Sequence, residues 1–324
     1  MARSFPKRWL GFAVKVAVTA GLIWLLMRGF DTGEALRRVG QLSPWLAPAV
    51  LALLAAVSAI AAWRWCILMR LFGDALPFRT ALRLVFEGQF FNQTLPSTIG
   101  GDGIRMYRAA RLGLPTGAAI NGVILDRVVG LGSLLLMVAM VQPLLAERVQ
   151  EPAMRLGFAA VLVAGALGFA ALLGFSWLPL AIRRWRLGAW AADLSAAARR
   201  MVAAPRMILP VVALSLTIHG LVVVIIWLLG RGLALPLGFV DCLVFVPIIL
   251  LLSAVPISIA GWGVREGMMV TAFGMVGVSQ SGSLTLSILF GFAMVAIGLP
   301  GGALWLASPD RHAPPADLDH APAG

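Results

Sequence analysis

Two decamers, Pro96 to Arg105 (PSTIGGDGIR) and Pro256 to Arg265 (PISIAGWGVR), hold most of the residues in this sequence whose types and spacing could do chemistry. Laid on one another without a gap they share Pro, Ile, two Gly and Arg. Thr98/Ser258, Gly100/Ala260 and Ile104/Val264 are close substitutions. In each, a glycine-rich turn precedes a segment of helical pattern, so backbone N–H groups unblocked by side chains can converge on an anion at the positive end of a helix. Asn92, Gln93, Ser97, Thr98, Gly100, Gly101 and Asp102 surround the first turn; Ser258, Gly261, Gly263 and Glu266 surround the second. Arg105 and Arg265 fall at the same register, where a guanidinium could grip a phosphate with two parallel hydrogen bonds. The plainer alternative is that the glycines serve close helix packing and the arginines pair with Asp102 and Glu266. Asn92 and Gln93 likewise either meet a headgroup or cap the turn.

Other ionisable residues stand inside apolar runs. Glu87, Asp126 and Arg127 do so, and unpaired charge there is expensive unless it faces protein or water. Asp126 and Arg127 are neighbours in sequence, so on a helix they point about 100° apart and should bond to different partners. His219 lies alone near the middle of an apolar run with no carboxylate or thiol at ligand spacing, which predicts an interhelix hydrogen bond rather than a metal. Cys66 and Cys242 fall in or beside apolar segments without metal spacing and read as packing residues. Nothing calls for a cofactor or a metal.

Such residues must be positioned by helices in a bilayer. Of 324 residues, 60% are hydrophobic and 12% charged, and the mean hydropathy is +0.93. A soluble domain is excluded. The net charge of +12 is scattered between apolar runs rather than striped with aromatics, which argues against nucleic acid.

Six apolar spans are expected, from Leu10 to Met27, Pro44 to Trp63, Gly117 to Val141, Leu156 to Leu180, Met207 to Leu229 and Leu284 to Leu306. The first resembles a secretory signal but is longer, contains Lys15 and lacks a clean cleavage site, so it reads as a retained helix. Two further stretches, Ala81 to Gly101 and Phe239 to Val278, are apolar but broken by Pro, Gly and polar residues, as re-entrant hairpins are. The fold class expected is therefore all-α, a polytopic membrane protein.

Basic residues set the orientation. With the N-terminus inside, the inner segments hold Arg3, Lys7 and Arg8, Arg64 to Arg83, Arg105 to Arg111 and the arginines from Arg183 to Arg206, while Arg28, Arg37, Arg38, Arg148, Arg155, Arg231 and Arg265 fall outside. The segments flanking the first hairpin are both basic, so it should enter and leave on the cytoplasmic side. Trp9, Trp24, Trp45, Trp63, Trp177, Trp227 and Trp305 mark helix ends and Trp262 does not. Around the two decamers each half, about 1–145 and 155–306, has the order helix, helix, hairpin, helix. Three crossings per half invert the second half, a plan recurrent in alternating-access transporters. Leu187 to Met201 has apolar residues at helical spacing and is expected along the inner surface. Residues 309–324, rich in Pro and Ala, are expected to be disordered beyond a single membrane domain of residues 1–308.

The string FFNQTLPSTIGGD, from Phe90 to Asp102, with Arg105 after it, resembles the signature of the lysylphosphatidylglycerol synthase transmembrane, or flippase-like, family. Asp126 to Leu131 (DRVVGL) is similar to that family's Asp-Arg segment, and Ile257 to Glu266 (ISIAGWGVRE) to its late Gly-rich Arg-Glu segment. Gly103 and Ala260 depart modestly from the pattern. In members that make aminoacylated phospholipids a soluble synthase domain follows the membrane part; here a short tail follows Leu306. The resemblance thus implies the translocation half of that activity, movement of a phosphate-bearing phospholipid or lipid-linked glycan between leaflets of a bacterial inner membrane, and not an enzyme.

Two other classes stay open. A polyprenyl-phosphate glycosyltransferase could use Asp31 and Glu34 as acids, although short outer loops leave little to bind a sugar donor. A non-catalytic membrane partner of a separate synthase or glycosyltransferase is excluded by no residue.

Overall fold

The structure, a computed structural model, describes residues 21, 22, 24–28, 30–95, 100–149, 151–177, 186–254 and 262–308. Among these the chain is helical and without strands: α1 Thr32–Gly40, α2 Leu46–Met69, α3 Phe78–Thr94, α4 Gly100–Arg111, α5 Thr116–Met140, α6 Gln142–Arg148, α7 Pro152–Gly174, α8 Arg186–Ala203, α9 Pro205–Gly232, α10 Phe239–Ser253, α11 Val264–Gly274 and α12 Gln280–Leu306. In hydrocarbon a helix satisfies every backbone group within itself, and the sequence supplies start signals where the helices begin. Asp31 accepts from the Glu34 N–H at 3.0 Å to open α1, Ser279 accepts from the Gly282 N–H at 3.1 Å to open α12, and Pro152 and Pro205 stand in the first turns of α7 and α9.

Five helices are long and apolar enough to cross a membrane: α2 with its short 3-10 extension to Phe72, α5, α7, α9 and α12. They match five of the expected spans, with shifted ends. The sixth, Leu10 to Met27, lies mostly outside the described residues. The shift that matters most for the site is in α2, which continues past Trp63 to Met69. Arg64 is therefore not a loop anchor; it sits buried inside a helix, as do Arg105 and Arg108 in α4 and Arg265 in α11. These four leave the positive-inside tally because burial in protein, not aqueous exposure, explains them.

The two broken stretches are helix pairs. At 1.5 Å per residue, α3 and α4 reach only about 26 and 18 Å, short of the roughly 30 Å hydrocarbon thickness. They lie side by side at close range. A Cβ on Gly101 would fall on the Gly88 carbonyl oxygen, so both positions need the smallest residue to let the backbones meet. The open end of this pair is also closed on itself: Arg83 near the start of α3 and Arg108 near the end of α4 share Glu87, and both donate to Ser308 beyond α12. Backbones meet again where α12 crosses α3, because Gly301 lies directly against the Phe86 carbonyl. The second pair, α10 and α11, also packs together.

The packing between elements has a regular form. α2 packs on α9; α3 on α12, and α10 on α5; α2 on α3, and α9 on α10; α4 on α5, and α11 on α12; α2 on α5, and α9 on α12; α5 on α9, and α12 on α2. Exchanging α2 with α9, α3 with α10, α4 with α11 and α5 with α12 returns the same set.

Two amphipathic helices pack against the bundle. Arg38 of α1 donates to the Leu233 and Ala234 carbonyls past the end of α9, a favourable place for a cation. The apolar residues Leu194, Ala198 and Met201 of α8 are buried in one cluster with Leu68, Leu125, Val129 and Val211. The expected surface helix is thus half inside the protein. Its burial follows from α7, which buries none of its own residues and leaves that side of the core for α8 to cover.

Candidate functional site

The site is built on α4 and α5 with one wall from α2. Arg64 and Trp65 stand on α2, Asp102 and Arg105 on α4, and Asp126 and Arg127 on α5. The adjacent α5 residues do bond in different directions. Asp126 takes Arg64 Nε at 2.8 Å and both terminal nitrogens of Arg105 at 3.4 Å. Arg127 turns to Asp102, 2.5 Å away. Arg105 also lies 3.6 Å from Asp102, and its guanidinium covers the Trp65 ring at 4.2 Å from the centroid, a cation–π contact.

Three guanidinium groups thus surround two carboxylates, and the distances say how the charge is shared. Asp126 is neutralised at close range by Arg64 and Asp102 by Arg127. Arg105 is held by the longest bonds of the cluster, and its Nε, with Nε1 of Trp65, has no acceptor among the described residues. A buried donor without a partner is costly. Arg105 is 8% exposed and Trp65 fully buried, so the surplus positive charge is buried in protein.

The polar setting extends into α9. Arg64 donates to Ser215 at 2.9 Å, and the His219 ring Nε2 lies 3.0 Å from the Gly130 carbonyl, the interhelix bond expected of it. Cys66 and Cys242 are buried and free. Among the described residues no group of three or more His, Cys, Asp or Glu could hold a metal.

The second decamer is only partly described; Ser258 and Gly261, like Ser97 and Thr98 in the first, lie outside the described residues. Arg265 donates to Glu266 at 2.5 Å and to Ser287 at 3.1 Å, with Trp262 and Phe290 rings 5.0 and 5.6 Å away. Trp262, which broke the pattern of helix-end tryptophans, lies over Gly291 and beside this arginine. Gly263, at φ +88°, donates to Glu266 at 2.5 Å. One arginine meets one carboxylate here, without surplus charge.

Two turn N–H groups expected to face an anion are already taken: Gly263 by Glu266, and Gly101 by the Asn92 side chain at 2.8 Å. Asn92 therefore fastens the end of α3 to the start of α4, while Gln93 is half-buried at the end of α3 and Gly100 opens α4. Those two N–H groups are therefore not free to hold an anion, which leaves Arg105 as the described side chain best placed to do so. Sequence reasoning did not place Arg64, Trp65, Ser215 or Ser287 at these sites. For Arg64 a signal existed, since the apolar run continues beyond it to Met69 and so places it within a helix.

The family model for the lysylphosphatidylglycerol synthase TM region matches residues 12–302. The chain belongs to this family. The match takes in both decamers, the Asp126-Arg127 pair, four of the apolar spans whole and the fifth up to residue 302, so this family member is a multi-pass integral membrane protein. No curated protein matches the chain.

Proposed function

We propose that this member of the lysylphosphatidylglycerol synthase TM-region family moves a phosphate-bearing phospholipid or lipid-linked headgroup between leaflets, without performing chemistry on it. The observation that carries the proposal is the surplus guanidinium of Arg105, stacked on Trp65, weakly bonded to Asp126 and Asp102, and carrying an unmatched donor. A phosphodiester monoanion supplies the missing acceptor and charge at once. Family membership supports a role with membrane lipids.

Inverted repeats make this movement mechanically plausible. The exchange of α2–α5 with α9–α12 leaves the packing unchanged, which supports reading the halves as one repeat used twice. α3–α4 and α10–α11 are then re-entrant pairs entering from opposite faces, and rocking of one half against the other exposes the site to each leaflet in turn. The basic N-terminal segment puts that end in the cytoplasm of a bacterial inner membrane.

The carboxylates offered for a glycosyltransferase make contacts that fasten α1, which supports the transport reading over that one. Asp31 caps α1, and Glu34 binds Arg38 and Ser279 at 3.0 Å. Purified protein in liposomes, tested with fluorescent phosphatidylglycerol, phosphatidylethanolamine and a polyprenyl-phosphate sugar in parallel, should move one headgroup class selectively. Movement of none of the three contradicts the proposal and favours a partner protein.

A further inference from the structure

A cavity lies beside the charged cluster, on the helices α5 and α9 that also carry Asp126 and Ser215. It has a volume of about 580 Å³ and runs between α5, α7, α8 and α9, walled by Val129, Leu136, Phe169, Met201, Ile208 and Val212 among others, and its lining is almost wholly apolar. Leu136 and Val163 on its rim are 42% and 58% exposed, so it opens toward the bilayer. Its outer wall, α7, approaches α5 closely where Gly165 meets Leu135 and buries none of its residues.

We infer that this crevice holds one hydrocarbon chain of the lipid whose phosphate Arg105 binds. Position and complementarity select that occupant. Val129 on α5 is one turn past Asp126, and Val212 on α9 is one turn before Ser215, so the same two helices carry the polar cluster and the apolar wall within about 5 Å of each other along their axes. The cationic cluster meets the anionic end of an amphiphile and the crevice its apolar end. From Val129 to Ala139 the lining follows α5 for about 15 Å, a length over which a chain stays beside the headgroup site instead of in bulk lipid.

The inference rests on the proposed headgroup site and is tested separately from it. Full-length protein is placed in phosphatidylcholine nanodiscs doped with phosphatidylglycerol bearing a diazirine midway along one acyl chain, irradiated, and mapped by peptide mass spectrometry. Adducts should concentrate on Leu136, Val163, Phe169 and Ile208 over Phe292 and Leu299, which are 61% and 58% exposed away from the crevice. Ala166→Trp, and independently Ala139→Phe, narrow the cavity and should cut crevice labelling roughly tenfold by excluding about two methylenes from burial, with Phe292 labelling unchanged. Equal labelling of all these sites, or crevice labelling indifferent to both fillers, overturns the inference. Lipid movement is measured on the same preparations. If Arg105→Ala abolishes headgroup-selective movement while the crevice stays unlabelled, the tail site alone is wrong; if Arg105→Ala leaves movement intact, the headgroup reading is what fails.

Discussion

Arg64 and Arg105 both reach Asp126, but at 2.8 and 3.4 Å, and this difference separates holding from binding. Arg64→Ala leaves Asp126 buried with only the longer contact, a loss expected to cost about 3–5 kcal/mol and to appear as a clear fall in melting temperature in detergent. Arg105→Ala leaves each carboxylate its close partner and should melt within a few degrees of the parent. Equal destabilisation by both substitutions contradicts the division of labour. Arg105→Lys keeps the charge but loses the fork and the planar stack on Trp65, so it should restore little headgroup selectivity. At this scale the sequence marked Glu87, Asp126 and Arg127 as charges inside apolar runs, but it took Arg64 for a loop charge and did not say which pair meets. Asp126 and Arg127 were legible as diverging neighbours because helix geometry is local. Their partners were not, since Arg64 lies 62 residues from Asp126 and only tertiary packing joins them.

At the scale of elements, contact between backbones sets what can change. Gly101 against Gly88 and Gly301 against Phe86 leave no room for a side chain. Gly101→Val and Gly301→Val should therefore lower the yield of folded protein, read by size-exclusion chromatography, while Gly117→Ala, where space is open, should not. The tie from Arg83 and Arg108 to Ser308 fastens the end of α12 to the first hairpin. Ser308→Ala removes those bonds at a cost of about 1.5–3 kcal/mol, as expected for hydrogen bonds to charged groups, and should speed proteolysis after α12. Spans were readable from apolar length alone, and α5 and α9 end within a few residues of expectation. α2 was cut short at Trp63 because Arg64 looked like a loop charge, and α8 was put at the surface because amphipathicity does not say whether its apolar face meets lipid or protein.

For the whole molecule, the packing pattern carries an orientation. If the halves are inverted, the loop between α4 and α5 and the segment before α9 share one face, and the α1–α2 loop shares the other with the α11–α12 loop. Single cysteines at Leu112 and Gln41, in a chain cleared of Cys66 and Cys242, should be labelled by an impermeant maleimide from the cytoplasmic and the outer side respectively; the same side for both contradicts the inversion. The central claim is that Arg105 binds the moving lipid through its phosphate, and the most direct test measures protein-dependent movement of the transported lipid in proteoliposomes by the parent, Arg105→Ala and Arg265→Ala. The account predicts that Arg105→Ala abolishes this movement with the protein still folded and inserted, and that Arg265→Ala impairs it. Full movement in folded Arg105→Ala would contradict the account.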